Sequence, residues 1–140
     1  MPGDIVAAID IVFFDIGDTL AKSSGNTLTP FPGSAQLLRD LRQLVGVRIG
    51  IITTLGGAFT NAQVLTMLQQ AGLGTFIDPQ GFVSDNDTNG TAKPRRAIYE
   101  FAARKAGVPI ERCLFIGENL TEVIGARVAG MQALQFHASR

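Results

Sequence analysis

The chain has 140 residues, 46% hydrophobic and 17% charged, with a mean hydropathy of +0.22. Twelve basic residues balance twelve acidic ones, which argues against a generally basic nucleic-acid binder; nucleic acid is not indicated as a partner. One cysteine, Cys113, and one histidine, His137, exclude an internal disulfide framework and any Cys- or His-rich metal site.

The length suits a single domain over residues 1–140, large enough to bury a core without disulfides. No apolar run reaches the roughly 18–20 residues of a membrane span. The N-terminus, MPGDIVAAID, lacks the basic region of a signal peptide, so the expectation is a cytoplasmic enzyme or binding domain.

In chain order, Ile9 to Phe14 (IDIVFF) is a nearly continuous apolar run, the pattern of a strand buried on both faces. Polar, glycine-bearing sequence follows from Asp15. Leu37, Leu38, Leu41, Leu44 and Val45 recur at helical spacing, with Gly46 as the stop. Val47 to Ile52 (VRIGII) reads as a second buried strand ending at Thr53. Val64, Leu65, Leu68 and Ala71 mark another helix, stopped by Gly72. A short strand is expected near Phe82 and Val83. Pro94 suits the first turn of a helix whose apolar face is Ala97, Ile98, Phe101 and Ala102 and whose end is Gly107. Leu114 to Ile116, Thr121 to Ala129 and Ala133 to Phe136 read as strand, helix and strand.

Alternating strands and helices predict an α/β fold, a central parallel sheet with helices on both faces. In open sheets of this kind the site lies outside the carboxyl ends of the strands. The polar residues just past those ends are Asp15 with Asp18 and Thr19, Thr53 with Thr54, and Glu118 with Glu122; Lys93 precedes the third helix. Two carboxylates from different strand ends suit a hard divalent cation such as magnesium, which completes its shell with water and substrate phosphate. A carboxylate beside it can serve as a nucleophile, forming an aspartyl-phosphate. Threonine hydroxyls, a lysine ammonium and backbone N–H groups of Ile16–Thr19 would hold phosphoryl oxygens. Singly, each of these residues reads as a cap, a turn residue or solvated surface; together they form one coherent phosphoryl-transfer site.

FFDIGDTL, GIITT, Lys93-Pro94 and FIGENLTEVIGARVAGM occur in that order. The sequence resembles the haloacid dehalogenase-like (HAD) hydrolase superfamily over nearly its whole length, and these segments look like the family's motifs. The first resembles a strand followed by D-x-D-x-T, and the last resembles G-D-x-x-x-D before a small-residue helix. The resemblance implies a Rossmann-like three-layer sandwich with the first-motif strand central. It implies Asp15 as nucleophile and magnesium ligand, with Gly17 contributing its carbonyl and Glu118 a further carboxylate to the metal. Thr53, Thr54 and Lys93 would bind phosphate, Lys93 also acting in catalysis, with Asp18, Thr19 and Glu122 in support. The implied function is a magnesium-dependent phosphatase. A receiver-type phosphoaspartate domain, which carries its phosphorylated Asp after the third strand and an acidic pair after the first, fits less well.

Two departures stand out. Gly17 occupies the position where the family's phosphatases usually carry a second Asp as general acid and base, a group typically worth ~10²–10⁴-fold in rate. Glu118 stands where Asp is usual, and magnesium demands near-ideal geometry. The sequence therefore fits either an active hydrolase or a catalytically weakened module that binds a ligand or partner. A carbon–halogen hydrolase is the third reading, disfavoured because no cap encloses an apolar substrate. Only about ten residues separate Leu20 from Phe31, and no domain-sized insert precedes Lys93. Without a cap, the phosphorylated substrate is expected to be macromolecular, or small if a second subunit of a homo-oligomer closes the site. Lys22 to Thr29 (KSSGNTLT) reads as a flexible flap or a plain surface loop. Cys113 reads as a core thiol, His137 as surface, and Gly125, Ala126, Ala129 and Gly130 as small residues that seat a helix close to the sheet.

Overall fold

A computed structural model describes residues 8–137. Five strands form one parallel sheet: β1 (Ile11–Phe14), β4 (Arg48–Thr53), β5 (Phe82–Ser84), β6 (Cys113–Gly117) and β7 (Gln132–Gln135), in the order β5-β4-β1-β6-β7. The first strand is central, and all four of its residues are buried. A separate antiparallel hairpin, β2 (Ala21–Ser24) and β3 (Thr27–Pro30), follows it. The helices are α1 (Ser34–Asp40), α2 (Asn61–Gln70), α3 (Arg96–Ala106) and α4 (Leu120–Ala129). None among the described residues is long and apolar enough to cross a membrane.

The pleat sends alternate residues of β1 to opposite faces. Ile11 and Phe13 join Ile98, Tyr99, Phe115 and Val123 under α3 and α4. Val12 and Phe14 join Leu38, Ile51, Val64 and Leu68 under α1 and α2. Burying each such side chain stabilises the fold by about 1.5–3 kcal/mol. Gly50 lets β4 approach this core: a β-carbon there would lie 2.5 Å from the Phe13 ring and 2.7 Å from the Gly81 carbonyl oxygen.

The helices follow local signals. Thr60 and Gln63 form a capping box at the start of α2, and Gly107 at φ 71° ends α3. After α1 the chain widens into a π turn over Leu41–Val45 before Gly46 stops it. That turn rotates Leu44 and Val45 outward, so they are exposed rather than on the buried face expected from α-helical spacing. Pro94 also departs from expectation. The Ala92 carbonyl accepts from the Arg95 N–H at 3.0 Å, a turn that delays α3 to Arg96. The buried face of α3 is accordingly Ile98, Tyr99, Ala102, Ala103 and Ala106, with Ala97 exposed.

Residues 22–29 are not a plain loop but most of the hairpin, turning at Gly25 with φ 58°. The outer strands are short. Lys105 Nζ donates to the Phe82 carbonyl of β5 at 2.8 Å, and Arg127 Nη2 to the Ala133 carbonyl of β7 at 2.7 Å.

Candidate active site

Phe14 pairs with both Ile51 and Ile116, so Asp15, Thr53 and Glu118 leave the sheet at the same edge. The Asp15 N–H donates to the Ile116 carbonyl at 3.0 Å, extending the ladder by one residue and fixing the side chain's origin. The chain then turns tightly: the Ile16 carbonyl accepts from Thr19, Leu20 and Ala21. Asp18 takes φ 59°, whereas Gly17 lies outside the left-handed region.

Lys93 Nζ lies 2.7 Å from Asp15 Oδ1 and 3.0 Å from Glu122 Oε1. Its side chain is 1% exposed, and its ammonium stands 5.3 Å from the centre of the Phe115 ring. A cation so far removed from water requires such partners. Glu122 is set by its helix: Asn119 caps α4 by accepting from the Glu122 N–H, and the Tyr99 hydroxyl donates to the Glu122 carbonyl at 2.7 Å. Burial pushes the Tyr99 phenol well above its ordinary range, which keeps it a donor.

Asp15, Gly17, Thr53, Thr54, Lys93 and Glu122 line one cavity of about 290 Å³. Glu118 stands one residue past Gly117, whose β-carbon position is 3.5 Å from Asp15 Cβ, but Glu118 is not among the cavity's lining residues. Neither is Asp18, which is exposed, nor Thr19, which is fully buried with its hydroxyl unpartnered among the described residues.

Among the described residues no three His, Cys, Asp or Glu side chains gather as a metal-binding group. A hard cation such as magnesium needs only one or two carboxylates plus water. Lys93 engages one oxygen of Asp15 and leaves the other without a hydrogen bond among the described residues. That carboxylate, with Glu118 one residue past the neighbouring strand end, is of the chemical type such a cation takes.

Several contributors were not anticipated from sequence. Asp85, 5% exposed after β5, accepts from the Leu55 N–H at 2.7 Å and the Gly56 N–H at 3.0 Å. It thereby clamps the loop that follows Thr53 and Thr54. Asp87 accepts from Asn61, tying the start of α2 to the same strand end. Ser23 and Leu28 of the hairpin and Phe59 and Met67 from beyond β4 complete the cavity. Gly125 serves a different contact from the expected one: it meets Pro94, beside Lys93, rather than the sheet. Gly130, at φ 111°, terminates α4.

The family model for haloacid dehalogenase-like hydrolases matches residues 22–130. The chain belongs to that family. The matched segment begins after Asp15 and Gly17. Glyceraldehyde 3-phosphate phosphatase of Methanothermobacter thermautotrophicus is 34% identical over 108 residues, 76% of this chain and 44% of that protein. Phosphoglycolate phosphatase of Pseudomonas savastanoi pv. phaseolicola is 31% identical over 101 residues, 72% and 34% of the two chains. A pyrimidine 5'-nucleotidase of Escherichia coli is 27% identical over 125 residues, 88% and 52%. The chain thus spans about a third to a half of the length of these curated relatives.

Among solved structures, a HAD family hydrolase from Deinococcus radiodurans R1 with bound phosphate and sodium has a TM-score of 0.73 at 19% identity, covering 96% of this chain and 86% of that one. L-2-haloacid dehalogenase from Xanthobacter autotrophicus has a TM-score of 0.75 at 17% identity, covering 91% and 77%. These likenesses establish the shared fold.

Proposed function

We propose that this chain hydrolyses phosphate monoesters with Asp15 as nucleophile. The observation that carries the reading is the 2.7 Å pairing of Asp15 with the nearly inaccessible Lys93, in a cavity that Thr53 shares. One carboxylate oxygen of Asp15 attacks phosphorus, and the other is left for the cations beside it. The Asp15–phosphorus bond forms as the bond from phosphorus to the leaving alcohol oxygen breaks. Lys93 and the Thr53 hydroxyl bind the phosphoryl oxygens and orient them. Water then attacks phosphorus, releasing phosphate and restoring the Asp15 carboxylate. Magnesium, held by Asp15, Glu118 and the Gly17 carbonyl, would neutralise charge on the phosphoryl oxygens. Gly17 offers no carboxylate to protonate the leaving oxygen, so esters of acidic alcohols, which leave without that proton, are the better substrates.

The test is a phosphatase assay over a panel of phosphate monoesters, with and without magnesium, on the natural chain and on Asp15→Asn. Turnover that requires magnesium and falls at least ~10²-fold in the variant is expected. Turnover that survives Asp15→Asn, or hydrolysis of no ester at all, would overturn the reading. A binding module is the second reading, favoured by Gly17 and by the position of Glu118 outside the cavity lining. Saturable phosphate binding without turnover would establish it.

A further inference from the structure

The cavity beyond Asp15 and Lys93 has a definite chemical character. Besides the exposed Ser23 and Thr54, its walls are Leu28 from β3, Val64 and Met67 from α2, and Leu55, Ala58 and Phe59 from the loop between β4 and α2. Leu28, Val64 and Met67 are 7%, 3% and 8% exposed, so they form part of the packed core and not a mobile fringe. The loop wall is held too: the Phe59 carbonyl accepts from Asn86 Nδ2 at 3.0 Å, and Asp85 holds Leu55 and Gly56.

The charges in the cavity are equally specific. Among the described residues Lys93 is its one basic lining residue, and both of its partners, Asp15 and Glu122, are carboxylates in the same cavity. An anionic group on the leaving alcohol would therefore meet two carboxylates and find no uncommitted cation. Taking such a group out of water without a partner costs far more than alkyl contacts return. At about 290 Å³ the space also lies at the small end of small-molecule sites.

From this we infer that the substrate is a small phosphate monoester whose leaving alcohol is compact, uncharged and largely apolar. The inference rests on the phosphatase reading for its chemistry, though its binding component can be measured separately. It also replaces the macromolecular substrate expected from the absence of a cap. It further separates this chain from a phosphatase for phosphoglycolate, whose leaving group carries a carboxylate.

The experiment is calorimetric titration of the whole chain, in the presence of magnesium, with methyl-, propyl- and pentylphosphonate and with 3-phosphonopropionate. A phosphatase does not cleave the phosphorus–carbon bond, so affinity is read apart from turnover. Affinity should rise about fourfold per added methylene until the cavity is full. The carboxylate analogue should bind at least about tenfold more weakly than propylphosphonate, which has the same number of carbons. Phe59→Lys, which places a cation at a partly exposed wall position, should narrow that gap, whereas Phe59→Leu should preserve it. Affinity independent of chain length, tighter binding of 3-phosphonopropionate, or no phosphonate binding would overturn the inference. Phenyl phosphate, the ester of an acidic, uncharged and apolar alcohol, assayed in parallel, isolates the other reading. A clear chain-length trend with no hydrolysis would leave the apolar pocket standing and remove the phosphatase.

Discussion

Gly125 lies so close to Pro94 that a β-carbon in its place would stand 2.5 Å from the Pro94 carbonyl oxygen and 2.6 Å from Pro94 Cβ. The contact joins α4, which carries Glu122, to the turn that carries Lys93. It therefore sets the spacing of the ion pair that organises the site. Gly125→Ala should force the two apart, with a loss of about 1–3 kcal/mol from overpacking. A lower thermal midpoint together with weaker binding of inorganic phosphate is the expected result. An unchanged melt with unchanged phosphate affinity would mean the contact yields without moving Lys93.

Gly17 is replaceable. No atom lies within 4 Å of a β-carbon built there, and the backbone is not in the left-handed region that favours glycine; the positive φ nearby belongs to Asp18. Gly17→Asp should fold with an unaltered melting curve and place a carboxylate at the cavity wall. If proton transfer limits turnover, the rate should rise by up to ~10²–10⁴-fold, most for esters of weakly acidic alcohols. A folded variant with no gain on such esters would locate the limitation elsewhere.

Asp85 accepts two backbone N–H bonds that an amide cannot reproduce, since one of its two terminal atoms is a donor. Asp85→Asn should lower stability by about 1–3 kcal/mol. It should also loosen the loop after Thr53, so KM for a phosphate ester is expected to rise more than kcat falls. Denaturant unfolding and steady-state kinetics measure the two effects. A stability loss with KM unchanged would reduce Asp85 to a structural role.

Cys113 is buried at the start of β6, and burial pushes its thiol up to about 12. The native chain should leave a disulfide reagent unreacted at pH 8, with reaction appearing only on unfolding. The same shift fixes a sign. Above the ordinary thiol value of 9.0 the unfolded chain loses a proton that the folded chain keeps, so stability should fall between about pH 9 and 12. Cys113→Ala should flatten that slope. A slope identical to that of the natural chain would assign it to other groups, Tyr99 first among them.

The legibility of this chain in its sequence follows the physics of each element. β1 and β4 were readable because both of their faces are buried, which leaves unbroken apolar runs. The β2–β3 hairpin was not, because only Ala21 and Leu28 turn inward and the rest, KSSGNT, is solvated. The π turn hid the outward rotation of Leu44 and Val45, since spacing alone presumes a regular α-helix. Of the candidate residues, Asp15, Thr53 and Lys93 follow from strand ends and the order of the motifs. The cavity takes its second acid from Glu122, although Glu118 stands closer to the strand. Asp85 was hidden in a run, DNDTNG, that has the composition of any surface turn.

The two basic contacts on the outermost strands bear on how molecules of this chain behave toward one another. An exposed strand edge is a template on which another chain can add, the first step of runaway sheet growth. Here the Phe82 carbonyl is occupied by Lys105 and the Ala133 carbonyl by Arg127, and the strands that carry them are only three and four residues long. A concentrated solution is thereby denied an easy seam for fibrous association, and replacing both side chains by alanine would open one at each border of the sheet.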